Sequence, residues 1–238
     1  MKFSKIVLIL NLLLFSYSNL LSQTNNSAIK NALLIAEKNI SKLENVGQLL
    51  VVYNENPESF SAVFVALEKN DNHWVVKQEP IEAGIGKNGF ALPLQKLEGD
   101  GKSPIGIFKL GKLYSYEKQT NTLLENQQTN KEDKWIDDVN SSDYNKHING
   151  TTNAKSYENL LLNNDAYKYC TVIEYNTNPV IKGKGSAIFF HLALKPGSYT
   201  AGCVAIKEDY MKLMVNWLDP KQNPTIIMGN LNVLKAGL

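Results

Sequence analysis

From Gly47 to Met228 the chain is cut into short runs rich in Val, Leu, Phe and Trp, with Asn, Pro, Asp and Gly standing between them. That punctuation argues for a sheet, because β-branched and aromatic runs of about four to eight residues suit strands and are too short for ordinary helices. Gln48–Tyr53, Ser61–Leu67 and His73–Gln78 follow one another across polar turns, the pattern of an antiparallel meander. Closely spaced glycines mark 80–89 and 99–111, and a strand is expected over Pro104–Leu110. Further strands are expected at Lys168–Tyr175, Gly183–Leu192, Gly202–Ile206 and, after Pro220, Asn223–Met228.

Two segments carry helical period instead. Ile29, Leu33, Ala36, Ile40 and Leu43 recur at steps of four and three. This spacing predicts an amphipathic helix over Asn26–Glu44, capped by Asn26 or Ser27 and packed outside the main domain. Met211, Met214, Val215 and Leu218 predict a late helix over Lys207–Leu218. Between Leu113 and Asp165 lies a long polar stretch with little periodicity, expected as a functional loop or a disordered insertion. It holds Trp135, Asp137, Asp138, Tyr144 and Asn145, more aromatic content than a linker needs. The fold class is therefore mostly β, with an N-terminal helix and one late helix.

The N-terminus reads as a signal peptide. Two lysines in Met1–Lys5 precede the nearly unbroken apolar run Ile6–Phe15, and Ser16–Ser22 is small, polar and leucine-bearing. Cleavage is expected after Ser22, with Leu20 the less ideal residue of the site. The apolar run is short for a bilayer, so no stable membrane insertion is expected after cleavage, with an uncleaved anchor as the alternative. The remaining chain divides into a helical extension, 23–46, and one main domain, 47–238, carrying the 113–165 loop. The implied location is the periplasm, the extracellular space or the cell wall.

The formal net charge is +2 and no basic block is present, which argues against nucleic acid as a partner. All 25 basic residues are lysines. A carboxylate-bearing ligand must therefore be held by lysine or backbone donors, not by a bidentate guanidinium. No cofactor and no metal are expected, because the three histidines and two cysteines lack paired zinc-type spacing. His73 and His147 read as surface residues, and Asp137-Asp138 as a polar cleft rim or solvated loop. Gly99–Lys102 lacks the spacing of a P-loop and reads as a tight turn.

The segment from Gly185 to Ile206 carries the chemistry. An apolar strand ends at His191, a short loop follows, and Thr200-Ala201-Gly202-Cys203 opens another strand. A cysteine nucleophile needs a base close by, and imidazole is the usual one. It also needs backbone N–H groups to receive an oxyanion, which a small-residue turn supplies. Two other readings stay open on spacing alone: His191 and Cys203 as core residues, and a Cys170–Cys203 disulfide in an exported protein.

These residues resemble the catalytic region of the L,D-transpeptidase (YkuD-type) family, in the branch whose motif reads Gly-Ser-Ala-Ile-Phe-x-His and then Thr-Ala-Gly-Cys. The resemblance extends to Gly84–Pro93, to Glu98–Phe108, to Trp135–Asp138, to Ser142–Asn145 and to Tyr175-Asn176. It implies a β-sandwich-like catalytic domain that acts on peptidoglycan stem peptides, forms an acyl-thioester on cysteine and passes the acyl group to an amine acceptor. Carried over, it makes Cys203 the nucleophile and His191 the base, with the N–H groups of Gly202 and Cys203 as the oxyanion hole. Thr200 would orient the turn, Gly185 and Ser186 would shape the strand under His191, and Trp135, Tyr144, Asn145, Ser186 and Ala201 would contact substrate.

Two positions depart from the family pattern: Ala201 stands where a histidine is common, and Val204-Ala205-Ile206 holds no arginine. Acyl transfer is still expected. A carboxypeptidase-like hydrolase using the same acyl-enzyme, and a non-catalytic wall-binding domain, are the alternatives.

Overall fold

The computed structural model of the protein describes residues 22–238. The expected leader and its cleavage site lie outside them, apart from Ser22 itself. Three strands, β1 (Gln48–Asn54), β2 (Ser61–Asn70) and β3 (His73–Gly84), form the expected antiparallel meander. β2 and β3 are joined by Asp71-Asn72, both at positive φ (44° and 73°), a conformation that Asp and Asn tolerate and that matches hairpin twist.

The principal sheet continues with β4 (Gly106–Ser115), β9 (Tyr169–Ile173), β10 (Phe189–Leu192), β11 (Val204–Ile206) and β12 (Thr225–Asn230). Its order is β12-β1-β2-β3-β11-β10-β9-β4, and β4 pairs back onto β12. The sandwich-like expectation thus resolves into a ring of strands closed on itself, with its narrowest seam where β3 meets β11 at the single pairing of Gly84 with Ala205. Inside it lie Leu50, Val52, Phe64, Phe190, Val204 and Ile226, with Phe64 and Phe190 stacked 5.7 Å apart. Helix α2 (Glu208–Trp217) adds Met211, Met214 and Val215 to this core.

A second core lies on the outer face of β1, β2 and β12 under helix α1 (22–38). The helix starts before Asn26, so neither Asn26 nor Ser27 caps it, and it gives way to a 3-10 turn at Ile40–Lys42. Its buried stripe is Ala28, Ala32, Ile35 and Ala36, continued beyond the helix end by Asn39 and Leu43. Of the expected face, Ile29 and Leu33 are half-buried and Ile40 is exposed, because small alanines let the helix approach the sheet. An unexpected third helix, α3 (Leu231–Ala236), is capped by the Asn230 side chain on Asn232 N–H at 3.1 Å and joins this core through Leu231 and Leu234.

The polar stretch is folded throughout. β5 (Asn126–Gln128) pairs with β4, and β6 (Asp133–Ile136), β7 (His147–Asn149) and β8 (Tyr157–Asn159) form a separate small sheet. Hydrogen bonding replaces the missing apolar period. The buried Asp133 carboxylate accepts bonds from Asn130 N–H (2.7 Å), Gln127 (3.0 Å), Asn149 (2.9 Å) and His147 (2.8 Å). His147 is therefore not the expected surface residue: it is half-buried against Asp133 and Tyr114. Among the described residues no helix is long and apolar enough to cross a membrane.

Candidate active site

β10 and β11 run parallel, pairing Phe190 with Val204, His191 with Ala205 and Leu192 with Ile206. Side chains alternate along a strand. Since Phe190, Leu192, Val204 and Ile206 fill the ring, Phe189, His191, Cys203 and Ala205 point outward on one shared face. The folded insertion arches over that face and leaves a cavity of about 560 Å³ with Cys203 and His191 in its wall. Cys203 is 5% exposed and His191 8%.

The turn that presents the thiol is tied down from below. Thr200 donates its hydroxyl to the Cys203 carbonyl (2.8 Å) and accepts Gly202 N–H (3.1 Å). Thr200 thus ties the turn together, and Gly202 N–H would have to leave this bond to receive an oxyanion. Ser103 donates to the Gly202 carbonyl (2.7 Å) and accepts Gly86 N–H (2.9 Å), so the early glycine-rich segments lie directly beneath the turn. A Cβ at Gly86 would stand 2.5 Å from the Gly101 carbonyl, which explains the absence of a side chain there.

Residues 183–188 are not the strand that their apolar content suggested. Gly183, Gly185 and Ala187 all have positive φ, 79°, 98° and 51°, and ladder pairing begins only at Phe189. Ala187 in the left-handed region costs about 1 kcal/mol, and its surroundings hold it there. Its N–H donates to Asn145 Oδ1 (3.1 Å), and its carbonyl accepts the Cys203 thiol (3.3 Å). Asn145 is itself fixed by Trp135 Nε1–H (2.8 Å) and by its own donors to the Tyr175 (3.1 Å) and Asn176 (2.7 Å) carbonyls. Trp135, Tyr144 and Asn145, expected to contact substrate, are not among the residues that line the cavity. They hold the backbone behind the thiol. Tyr144 accepts Gly185 N–H (3.1 Å) and donates to the Glu98 carboxylate, which Ser186 also bonds (2.7 Å). Ser186 and Ala201 do line the cavity.

The electrostatics describe a resting pair. Burial pushes the Cys203 thiol up, with the Glu158 charge adding to the effect and Phe189 N–H (3.3 Å) opposing it. Burial lowers the His191 imidazole to about 4, offset only in part by backbone bonds at Leu192 and Ala166. His191 is thus neutral. Because a carbonyl can only accept, Nδ1–H donates to Leu192 O (3.0 Å), and the proton-accepting lone pair lies on Nε2.

The insertion contributes two wall residues that sequence reasoning missed, Glu158 and Tyr167. The Tyr167 hydroxyl donates to Glu158 Oε1 at 2.6 Å, and its ring stands edge-on to His191 at 5.1 Å. Lys96, also missed, is buried in the cavity wall and paired with Asp100 (2.7 Å). Asp137 lines the cavity, whereas Asp138 accepts Asn140 and Lys155 N–H groups and pins a turn.

Cys170 and Cys203 are free thiols. Cys170 sits on β9 and Cys203 just before β11, with β10 between them. Two interstrand steps of about 4.8 Å exceed the Cα span of about 7 Å that a disulfide bridges.

A search of protein families matches residues 61–227 to YkuD, the L,D-transpeptidase catalytic domain. The match covers well over half of the chain, which therefore belongs to the YkuD L,D-transpeptidase family. No curated protein matches significantly. Among solved structures, the helical cell shape determining protein Pgp2 from Campylobacter jejuni is similar at 13% identity and a TM-score of 0.41, over 79% of this chain and 52% of that one. A point mutant of the same protein gives 12% identity and a TM-score of 0.41, over 82% and 58%. The chain thus spans little more than half the length of these proteins.

Proposed function

We propose that the protein is an exported cysteine acyltransferase that acts on peptidoglycan stem peptides through an acyl-thioester on Cys203. The observation that carries this reading is the placement of Cys203 and His191 on one face of adjacent parallel strands, at the wall of a cavity large enough for a short peptide. Sγ would attack the carbonyl of the L,D-peptide bond as His191 Nε2 takes the thiol proton, which then passes to the leaving amine. An amine acceptor resolves the thioester in transfer, and water resolves it in hydrolysis. Membership of a family of cell-wall enzymes supports a site of action outside the cytoplasm, as does the expected leader.

Incubation with a stem tetrapeptide, with and without a diamino-acid acceptor, tests the reading by product analysis. A cross-linked product that needs the acceptor supports transfer, and a shortened peptide formed without it makes the protein a hydrolase. Neither product from folded protein at any pH from 6 to 9 would leave a wall-binding domain.

A further inference from the structure

The outward face of β10 and β11 is walled from two sides, and the two walls differ in charge. On the β9 side stands the insertion, with Trp135 edge-on to Phe189 (5.2 Å) and Tyr167 edge-on to His191 (5.1 Å). It brings Asp137 and Glu158 to the cavity, and Glu98 joins them through its bonds with Tyr144 and Ser186. On the β3 side lies the loop 193–199 that connects β10 to β11. A Cβ on Gly84 of β3 would stand 2.0 Å from the Ser198 carbonyl, and Tyr199 meets Phe60 edge-on at 5.8 Å, so this loop rests directly on the sheet. Cys203 and His191 therefore lie between three carboxylates on one flank and the 193–199 loop on the other.

Two lysines line this cavity, and they are not equivalent. Lys96 is buried, and its ammonium is engaged by the Asp100 carboxylate (2.7 Å) and the Leu97 carbonyl (2.7 Å). Lys195, on the loop, is exposed, and among the described residues its ammonium has no ion pair and no hydrogen bond. Its backbone is nonetheless held. The Lys195 carbonyl accepts Ser198 N–H (3.2 Å) and the Ser198 hydroxyl (2.9 Å) across the Pro196-Gly197 turn. Glu82 on β3 bonds the Ser61 hydroxyl (3.1 Å) and lines a separate hollow with Lys207.

We propose that Lys195 is a specificity-determining residue: its ammonium receives the free carboxylate of the residue that leaves when Cys203 is acylated. The chain has no arginine, so a lysine must supply the cation, as a point charge and not a bidentate clamp. Lys195 is the unpaired cation of the cavity wall among the described residues. The opposite flank, with Glu98, Asp137 and Glu158, repels a further anion. Charge thus sets the direction of the peptide, with its leaving residue at the 193–199 loop and its acyl part under the insertion. Peptides that end in a carboxylate one residue past the attacked bond are selected over amidated ones.

This assignment rests on the proposed function, but its test is a binding measurement that needs no turnover. Calorimetric titration of the full chain carrying Cys203→Ala uses two probes, a stem tetrapeptide ending in a free carboxylate and the same peptide ending in a carboxamide. The acid is expected to bind about 10-fold more tightly, because the amide loses a charge-assisted bond in a partly enclosed site. Adding Lys195→Gln is expected to remove that preference by weakening the acid alone. Lys195→Arg should keep the preference, and Lys195→Glu should invert it. Equal binding of acid and amide, or a preference that survives Lys195→Gln, overturns the role of Lys195 and leaves the proposed function standing. Equal weakening of both peptides by Lys195→Gln puts the ammonium on another carboxylate of the stem and overturns the assignment to the leaving residue. Binding of neither peptide overturns both readings. A Lys195-dependent preference in a protein whose Cys203 neither peptide acylates would sink the proposed function and leave the carboxylate contact standing.

Discussion

His191 and Glu158 titrate in opposite directions, and their effects on stability should largely cancel in wild type. Burial lowers His191 from 6.5 to about 4, so between these values the unfolded chain holds a proton that the folded chain lacks. Acid then favours unfolding, and stability falls as pH drops from 6.5 toward 4. Desolvation raises Glu158 from 4.5 to about 7, so the folded chain holds the extra proton and stability falls as pH rises through that window. Each unbalanced proton is worth about 1.4 kcal/mol per pH unit. Over the shared window the two slopes oppose each other, and each alone amounts to about 3 kcal/mol. Urea unfolding at pH 4.5, 5.5, 6.5 and 7.5 exposes them. Relative to wild type, Glu158→Gln should lose stability toward acid, while His191→Asn should lose it toward neutral pH. The Asp133 carboxylate, lowered despite its burial by bonds from Asn130, Asn149 and His147, adds acid sensitivity common to all three proteins and drops out of the differences. Three parallel curves would refute the reasoning.

Other substitutions read the scaffold. Asn145→Ala strips partners from Trp135 Nε1–H, Ala187 N–H and the Tyr175 and Asn176 carbonyls, and should cost about 3–5 kcal/mol in urea unfolding. Iodoacetamide should also reach Cys203 at an altered rate in that variant, because Ala187 loses its anchor. Gly84→Ala places a Cβ 2.0 Å from the Ser198 carbonyl and should destabilise by about 3 kcal/mol, measured as a lower midpoint at unchanged denaturant slope. Cys170→Ala should leave Cys203 alkylation unchanged, since the two thiols are separated by β10.

The meander, the late helix and the His191–Cys203 pairing were legible because each rests on local signals: alternation, helical period, and small residues at a turn. The residues behind the pair were legible in identity but not in role. Trp135, Tyr144 and Asn145 stand out as aromatic and polar residues in a loop, and a long-range hydrogen-bond network turns them into supports for Ala187. The 113–165 stretch hid its strands because their partners lie within the same polar segment and its buried centre is Asp133, a charge that no hydrophobic pattern reveals. Glu158 and Tyr167 gave no signal for the same reason, since their importance comes from facing β10 across the cavity. In α1 the helical period is visible in the sequence, but Ala28 and Ala32, which set the contact face, carry too little apolar bulk to stand out beside Ile29 and Leu33.

The central claim is that Cys203 becomes acylated. Intact-mass spectrometry of the folded protein after brief exposure to a stem tetrapeptide or a carbapenem tests it most directly. A mass increase equal to the acyl fragment, mapped to Cys203 and lost in Cys203→Ala, is the predicted result. An unmodified protein across pH 6 to 9, or an adduct that survives in Cys203→Ala, would contradict it.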